Sequence, residues 1–298
     1  MRIETGMQKI LIIAGPTAVG KSKMAAAAAK ERVGEVISAD SMQIYRGMDI
    51  GTAKLTCAEM QGVPHHLIDE LDPDEPYSAA IFQKMADERI AGIVAQGKLP
   101  IICGGTGFYI NALLFGADFN AGDEDTGYRK QLALISAEKG NTIIHDMLKA
   151  VDPEAAAAIP CANEKRVIRA LEFFKQTGKK ISEHNQQMKA RPPVYDAEII
   201  ILNADRGRLY ERINERVDEM IKLGLEDEVR NLIAKGYGRD LVSMQGLGYK
   251  EMAMHIEGQC SLDDAVNAIK QGSRRFAKRQ ITWFRHQLPK ANWRNITL

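Results

Sequence analysis

Apolar residues in this chain gather into short runs, set between longer stretches in which they recur every three or four positions. Ile10-Leu11-Ile12-Ile13-Ala14, Glu35 to Ser38, Leu99 to Cys103 and Ala197 to Leu202 have the length and apolar character of buried parallel strands. Lys23, Met24 and the alanines at 25 to 29 have high helix propensity, and a second helix is expected from about Ser78 to Gln96, with Ile81, Met85, Ile90 and Val94 on its buried face. Strands alternating with helices predict an α/β fold with a parallel, doubly wound sheet. Between Asp118 and Pro193 the alternation stops. Helical segments near 127 to 138, 141 to 150 and 164 to 176 follow one another without a strand and end at Arg191-Pro192-Pro193. The pattern therefore divides the chain into a core, residues 1–117 with 194–298, and a helical insertion, 118–193, whose chain crossings are available as hinges. From Asp205, a plausible N-cap, the core is helical, with Leu209, Ile213, Val217 and Met220 on one face.

Composition narrows the class. A chain of 298 residues, 45% hydrophobic and 27% charged, is that of an ordinary soluble globular protein. No apolar run approaches the ~20 residues needed to cross a bilayer, and the start is too polar for a secretion signal, so a cytoplasmic protein with no membrane partner is expected. Cys57, Cys103, Cys161 and Cys260 are scattered, which indicates neither a zinc site nor a disulfide framework. Charge is asymmetric. After Asp264 there is no acidic residue, and Lys270, Arg274, Arg275, Lys278, Arg279, Arg285, Lys290 and Arg294 put +8 into the last 34 residues, against a whole-chain charge of +1. With Trp283, Phe284, His286 and Trp293 interleaved, that tail is the footprint expected for nucleic acid; a solvated basic helix with core aromatics is the plainer reading.

Chemistry is most legible at Gly15-Pro16-Thr17-Ala18-Val19-Gly20-Lys21-Ser22, which fits G-x-x-x-x-G-K-[ST] between a strand and a helix. A P-loop-containing nucleoside triphosphate hydrolase-like sheet is thereby indicated. Backbone N–H groups at the helix start would cradle a di- or triphosphate, Lys21 would reach its outer oxygens and Ser22 would hold Mg²⁺. Asp40, just beyond the second strand, would lie beside that loop, because ligands of open α/β sheets bind past the strand carboxyl ends. Its carboxylate can take a proton from an attacking nucleophile or cap the following turn. Gln43 offers the donor and acceptor that suit an adenine edge. The third strand runs into Gly104-Gly105-Thr106, where an ATPase of this class has a strand-terminal Asp, which argues for group transfer over ATP hydrolysis. Thr106 can bring a hydroxyl to the ligand or cap a helix. His65 and His66 lack metal-ligand spacing and fit a structural role better. Arg166 and Arg169, three apart, can grip phosphates or form a solvated face, and Arg212 or Arg216, four apart, can reach a diphosphate. A small-molecule kinase or transferase and a nucleic-acid-binding NTPase remain the competing classes.

Seven ordered blocks carry a resemblance over nearly the whole chain. They are the phosphate loop, Ser38-Ala39-Asp40-Ser41-Met42-Gln43-Ile44-Tyr45-Arg46-Gly47, Val63-Pro64-His65-His66-Leu67-Ile68-Asp69, Gly104-Gly105-Thr106-Gly107-Phe108-Tyr109, Arg166-Val167-Ile168-Arg169-Ala170-Leu171-Glu172, Gly246-Leu247-Gly248-Tyr249-Lys250-Glu251 and Lys278-Arg279-Gln280-Ile281-Thr282-Trp283-Phe284-Arg285. Together they resemble the bacterial tRNA dimethylallyltransferases. The resemblance implies prenylation of the N6 amine of adenosine 37, beside the anticodon, from dimethylallyl diphosphate with Mg²⁺, by a monomer acting on the tRNA anticodon stem-loop. It implies that Thr17 to Ser22, and Arg216, bind the diphosphate, that Asp40 is the general base, and that Thr106 holds the diphosphate and positions the reaction. It implies tRNA contacts from Asp40, Ser41, Met42, Gln43, Thr106, Arg129, Lys165, Arg166, Val167, Ile168 and Arg169. An adenylate isopentenyltransferase is the nearest alternative. One departure is visible: many members have His-Pro-Asn before the arginine helix, where this chain has Pro160-Cys161-Ala162.

Overall fold

The computed structural model describes residues 6–116 and 126–298. The chain forms two compact units, Met1–Gly116 with Pro193–Leu298, and Ala117–Pro192. The expected crossing near 118 lies outside the described residues.

The first unit opens with β1 (Lys9–Ala14), α1 (Lys21–Glu31), β2 (Gly34–Ser38), the single turn α2 (Cys57–Met60), the two-residue β3 (His65–His66), α3 (Ala79–Ala95), β4 (Leu99–Gly104) and α4 (Gly107–Phe115). The second unit consists of α5 (Thr126–Lys139), α6 (Asn141–Val151), α7 (Pro153–Ala158), α8 (Glu164–Thr177) and α9 (Ile181–Ala190). The first unit then resumes with β5 (Asp196–Asn203), α10 (Arg206–Lys222), α11 (Leu225–Ala234), α12 (Tyr249–Ile256), α13 (Leu262–Gln287) and β6 (Asn292–Asn295).

All strands are parallel, in the order β3-β2-β4-β1-β5-β6. The four apolar runs are its interior. β3 and β6 are the edges that periodicity did not reveal, because two and four half-polar residues pair with β2 and β5 without any apolar pattern of their own. Leu11, Ile13, Val36, Ile101, Ile200 and Leu202 share one core cluster with Ala25 and Ala29 of α1, Leu209 and Ile213 of α10 and Ala277 of α13. The alternate residues Ile10, Ile12, Ile37, Ile102 and Ile201 are as deeply buried on the opposite face, where α3 and α4 pack. A strand buried on both faces carries adjacent apolar residues at its centre, which is why these four were visible. The alanines of α1 let that helix sit close on the sheet.

The expected phase of α3 is corrected. Phe82, Ala86, Ile90 and Ile93 face the core, while Ile81, Met85 and Val94 are only half-buried. Ser78 starts the helix by accepting from the Ile81 N–H, and that cap sets the rotation. Asp205 caps α10 as expected, accepting from the Arg208 N–H, and Leu209, Ile213 and Val217 are its buried stripe.

The second unit has its own core of Leu132, Ile144, Leu148, Ala155, Ala156, Val167, Ile168, Ala170 and Leu171. Buried Asp152 caps α7 through the Ala155 N–H and ties down α9 by accepting from Ser182 N and Oγ at 2.9 and 2.7 Å. These bonds hold its carboxyl below the usual range although burial pushes the other way. Asn163 accepts from the Arg166 N–H and so starts α8, which settles how Pro160-Cys161-Ala162 leads into the arginine helix.

Candidate active site

The loop between β1 and α1 turns through left-handed backbone at Ala18 (φ +62°) and Gly20 (φ +91°). Glycine adopts such a φ without steric penalty, and successive turns of this kind aim N–H groups into one concavity. Gly20 caps α1 with no side-chain acceptor, so the helix's first N–H groups stay available to an anion. Lys21 Nζ donates to Pro16 O at 2.7 Å and folds over the loop. Burial lowers its pKa to about 8, Cys103 and Asp40 oppose that shift, and the Arg216 guanidinium adds to it. Burial pushes the Cys103 thiol up to about 11, so it stands beside Lys21 as a neutral group.

Two chambers meet over this loop. One, of about 470 Å³, is lined by Lys21, Ser22, Gln43, His65, Cys103 and Leu223. The other, of about 300 Å³, is lined by Ser41, Met42, Thr106, Tyr249, Phe276 and Arg279. Thr17, Asp40, Thr52, Ala53, Arg216 and Met220 line both. Asp40 Oδ1 accepts from the Met42 N–H at 2.9 Å, so it does cap the following turn, and among the described residues its Oδ2 has no hydrogen-bond partner. Thr106 starts α4, and its hydroxyl accepts from the Ser41 N–H at 3.2 Å, joining the β4 turn to the Asp40 turn. Gln43 accepts from Ser38 Oγ at 3.2 Å and donates to Thr52 O at 3.4 Å, so its amide braces the wall as well as facing the cavity.

Arg216 reaches the site from α10. It donates to Thr17 Oγ1 at 3.5 Å and to Ala53 O at 3.4 Å, and among the described residues no carboxylate pairs with it. Burial lowers its pKa, partly offset by Asp40. Arg212 lines the outer side of the loop with Lys23. His66 takes the structural role expected, with Nε2 2.7 Å from Glu35. His65 bonds Val63 O through Nδ1 and lines the first chamber, where its buried Nε2 has no partner. Among the described residues no group of three His, Cys, Asp or Glu could cage a metal. That donor set still suits Mg²⁺, which commonly takes one or two protein ligands and completes its shell with water and substrate phosphates.

The expected tRNA-contact residues of the second unit divide. Lys165 and Arg166 are exposed. Val167 and Ile168 belong to this unit's core, which buries their side chains. Arg129 and Arg169 converge on the fully buried Glu172, at 2.7 and 3.3 Å from its Oε2. In the basic tail Phe284 is core and Trp283 half-buried. Lys270 is paired with Asp218 at 2.5 Å and Arg274 bonds Asn214, which leaves Arg275, Lys278, Arg279, Arg285, Lys290 and Arg294 exposed.

Three site-building residues were missed. Glu228 of α11 accepts from the N–H groups of Asp49, Ile50 and Gly51 at 2.9, 2.7 and 3.1 Å and from Tyr249 OH at 2.6 Å, which pins the loop carrying Thr52 and Ala53. Lys54 sits under the same loop between Asp49 and Asp69, at 2.6 and 2.5 Å. Gln280 of α13 holds the phosphate loop. No local pattern announces them, since Glu228 and Gln280 act on segments more than 170 residues away.

Residues 43–287 match the family model described as IPP transferase. The chain is 52% identical to the tRNA dimethylallyltransferase of Lachnoclostridium phytofermentans over 94% of its own length and 90% of that protein's. It is 51% identical to that of Geobacillus thermodenitrificans over 97% and 91%. Among solved structures it resembles the tRNA isopentenylpyrophosphate transferase of Bacillus halodurans, with 47% identity, a TM-score of 0.71 and coverage of 97% and 90%. A eukaryotic dimethylallyltransferase acting on tRNA matches with a TM-score of 0.82 at 28% identity, over 97% of this chain and 74% of that one. With a phosphate loop on a parallel sheet, and similarity of this extent and degree, the chain belongs to the IPP transferase family.

Proposed function

We propose that this chain transfers a dimethylallyl group from dimethylallyl diphosphate to the N6 amine of adenosine 37 in tRNA, releasing diphosphate. The observation that carries this reading is the position of Asp40 on the wall common to two chambers, one floored by the phosphate loop and the other rimmed by Thr106, Phe276 and Arg279. The diphosphate sits on Thr17 to Ser22, with Lys21 and Arg216 against its oxygens, and the adenine enters from the opposite chamber. The C1–O bond breaks as the N6–C1 bond forms, the electron pair leaves with the diphosphate, and the N6 proton passes to the Asp40 carboxylate. Charge grows on the leaving oxygen, where backbone N–H groups, Lys21 and Arg216 stabilise it. Ser22, with the diphosphate's own oxygens, would hold Mg²⁺, which would supply further charge neutralisation. Adenine's amine is a weak nucleophile, so alignment with C1 contributes much of the rate. A stacked base cannot present that amine, so the nucleotide is extruded from the anticodon loop.

Ser41, Met42 and Thr106 contact the extruded nucleotide from its own chamber and Gln43 borders it from the donor side of Asp40, while Lys165, Arg166 and the exposed cations of α13 hold RNA phosphates. No helix among the described residues is long and apolar enough to cross a membrane. A monomer acting in the cytoplasm accommodates all of these roles. Mass spectrometry of nucleosides from tRNA incubated with enzyme, dimethylallyl diphosphate and Mg²⁺ tests the proposal. N6-dimethylallyladenosine at position 37 is the expected product; prenylation of free adenosine monophosphate with tRNA untouched would sink it.

A further inference from the structure

Gln280 is a buried polar side chain on a helix whose other face is solvated and basic. Its Oε1 accepts from the Thr17 N–H at 2.9 Å, and its Nε2 donates to Gly105 O at 2.9 Å. The two partners determine the orientation of the amide, since one is a donor and the other an acceptor. One side chain thereby joins the phosphate loop to the turn that follows β4. From that turn the connection continues through short bonds: the Thr106 N–H donates to Ala39 O at 3.2 Å, and Thr106 Oγ1 accepts from Ser41 N, on either side of Asp40.

A neutral amide accepts from one partner and donates to the other with no proton taken up. Glutamate keeps the acceptor but sets a carboxylate oxygen against Gly105 O; methionine keeps the shape and loses both bonds. The approach is close enough to dictate the neighbour, because a Cβ on Gly105 would stand 2.2 Å from Gln280 Nε2. The Thr17 N–H is also spent on this bond, so Thr17 meets an anion through its hydroxyl and the anion-binding N–H groups of the loop begin after it.

We propose that Gln280 is a positioning residue that sets the separation between the phosphate loop and the Asp40–Thr106 wall, and hence between the prenyl C1 and the attacking amine. This rests on the transfer reaction proposed above. Gln280 touches neither chamber, so it acts through Thr17 and Gly105 and contributes nothing to the affinity of either substrate. Two segments closing on one reaction are sensitive to such a spacer: a misplacement of about 1 Å costs on the order of 100-fold in rate.

The test uses the full chain with Gln280→Met and Gln280→Glu, two variants of the native side-chain length, so that one remains if the other fails to fold. Single-turnover transfer to tRNA should fall about 10- to 100-fold in both, while the dissociation constants for tRNA and for inorganic diphosphate with Mg²⁺ stay within twofold of wild type. Hydrogen exchange of the peptide covering residues 15 to 20 should accelerate in Gln280→Met and stay protected in Gln280→Glu, which retains the acceptor for Thr17. A purely structural role would instead lower the folded fraction and leave the rate per folded enzyme unchanged, which overturns the proposal. So does unchanged exchange in Gln280→Met, or a turnover rate within threefold of wild type. If the wild-type enzyme prenylates no tRNA, the functional reading fails, and the exchange measurement still judges the clamp on its own.

Discussion

In the phosphate-loop unit Lys21 and Arg216 crowd together with lowered pKa values and, among the described residues, no carboxylate pairs with either. In the helical unit Arg129 and Arg169 converge on one buried carboxylate, Glu172. The first arrangement is costly in isolation, because burial disfavours each charge and each disfavours the other. It is relieved by a multiply charged anion. In the second, one carboxylate serves both guanidiniums and ties α5 to α8 as a brace. Cations without counter-ions thus mark where this protein is built to receive charge, and cations with them mark where it is built to stay folded.

The comparison is most sharply tested at Asp40, whose carboxylate acts electrostatically on both Lys21 and Arg216. Asp40→Asn retains the bond to the Met42 N–H but cannot take up a proton, so single-turnover transfer should drop by about 10² to 10⁴ with donor affinity retained. A loss confined to donor affinity would make Asp40 part of the anion shell instead.

Lys21→Ala is expected next, with transfer down on the order of 10² to 10³ and tRNA binding intact in a filter-binding assay. Near wild-type transfer would remove the phosphate loop from the mechanism. The lowered pKa adds a signature. Lys21 titrates at about 8 in the fold against an ordinary 10.5, so the unfolded chain holds more protons between those values and stability rises with pH across that window. Below it, the buried charge costs stability that diphosphate binding restores. Donor affinity should therefore weaken above about pH 8, and calorimetry in buffers of different ionisation enthalpy should show proton uptake there; Lys21→Met should abolish both.

Arg166 and Arg169 sharpen the contrast within one helix. Arg166 is exposed and its side chain pairs with no carboxylate among the described residues, so Arg166→Ala should weaken tRNA binding and flatten the log–log salt dependence by about 0.7 to 0.9. An unchanged slope would make α8 a solvated face and leave RNA binding to the α13 cations. Glu172→Gln is the smallest expected effect: about 1 to 2 kcal/mol lost in urea unfolding of the full chain, at the low end for a broken buried pair because both guanidiniums still meet water. Unaltered stability would show that the convergence on Glu172 is no brace.

Local chemistry was enough to read β1, β2, β4 and β5, whose centres are short, buried and apolar, and the loop after β1, whose glycines and Lys-Ser carry their mechanics in order. Asp40 and Thr106 were readable for the same reason, as polar residues just past the ends of such strands. Beyond that reach the residues said little. Arg169 has Glu172 three residues on, a spacing the sequence shows, but only the tertiary structure buries that carboxylate and brings Arg129 to it. Phe284 and Trp283 are adjacent aromatics, yet the rotation of α13 buries the first and leaves the second half-exposed. Edge strands β3 and β6 owe their existence to partners, since their own residues carry no apolar alternation. The residues that hold the site in shape, Glu228 on its loop and Gln280 between Thr17 and Gly105, were decided by tertiary structure alone. A hydrogen bond is specified by where two groups meet in space, and for groups so distant in sequence only the folded sheet and its covering helices determine that meeting.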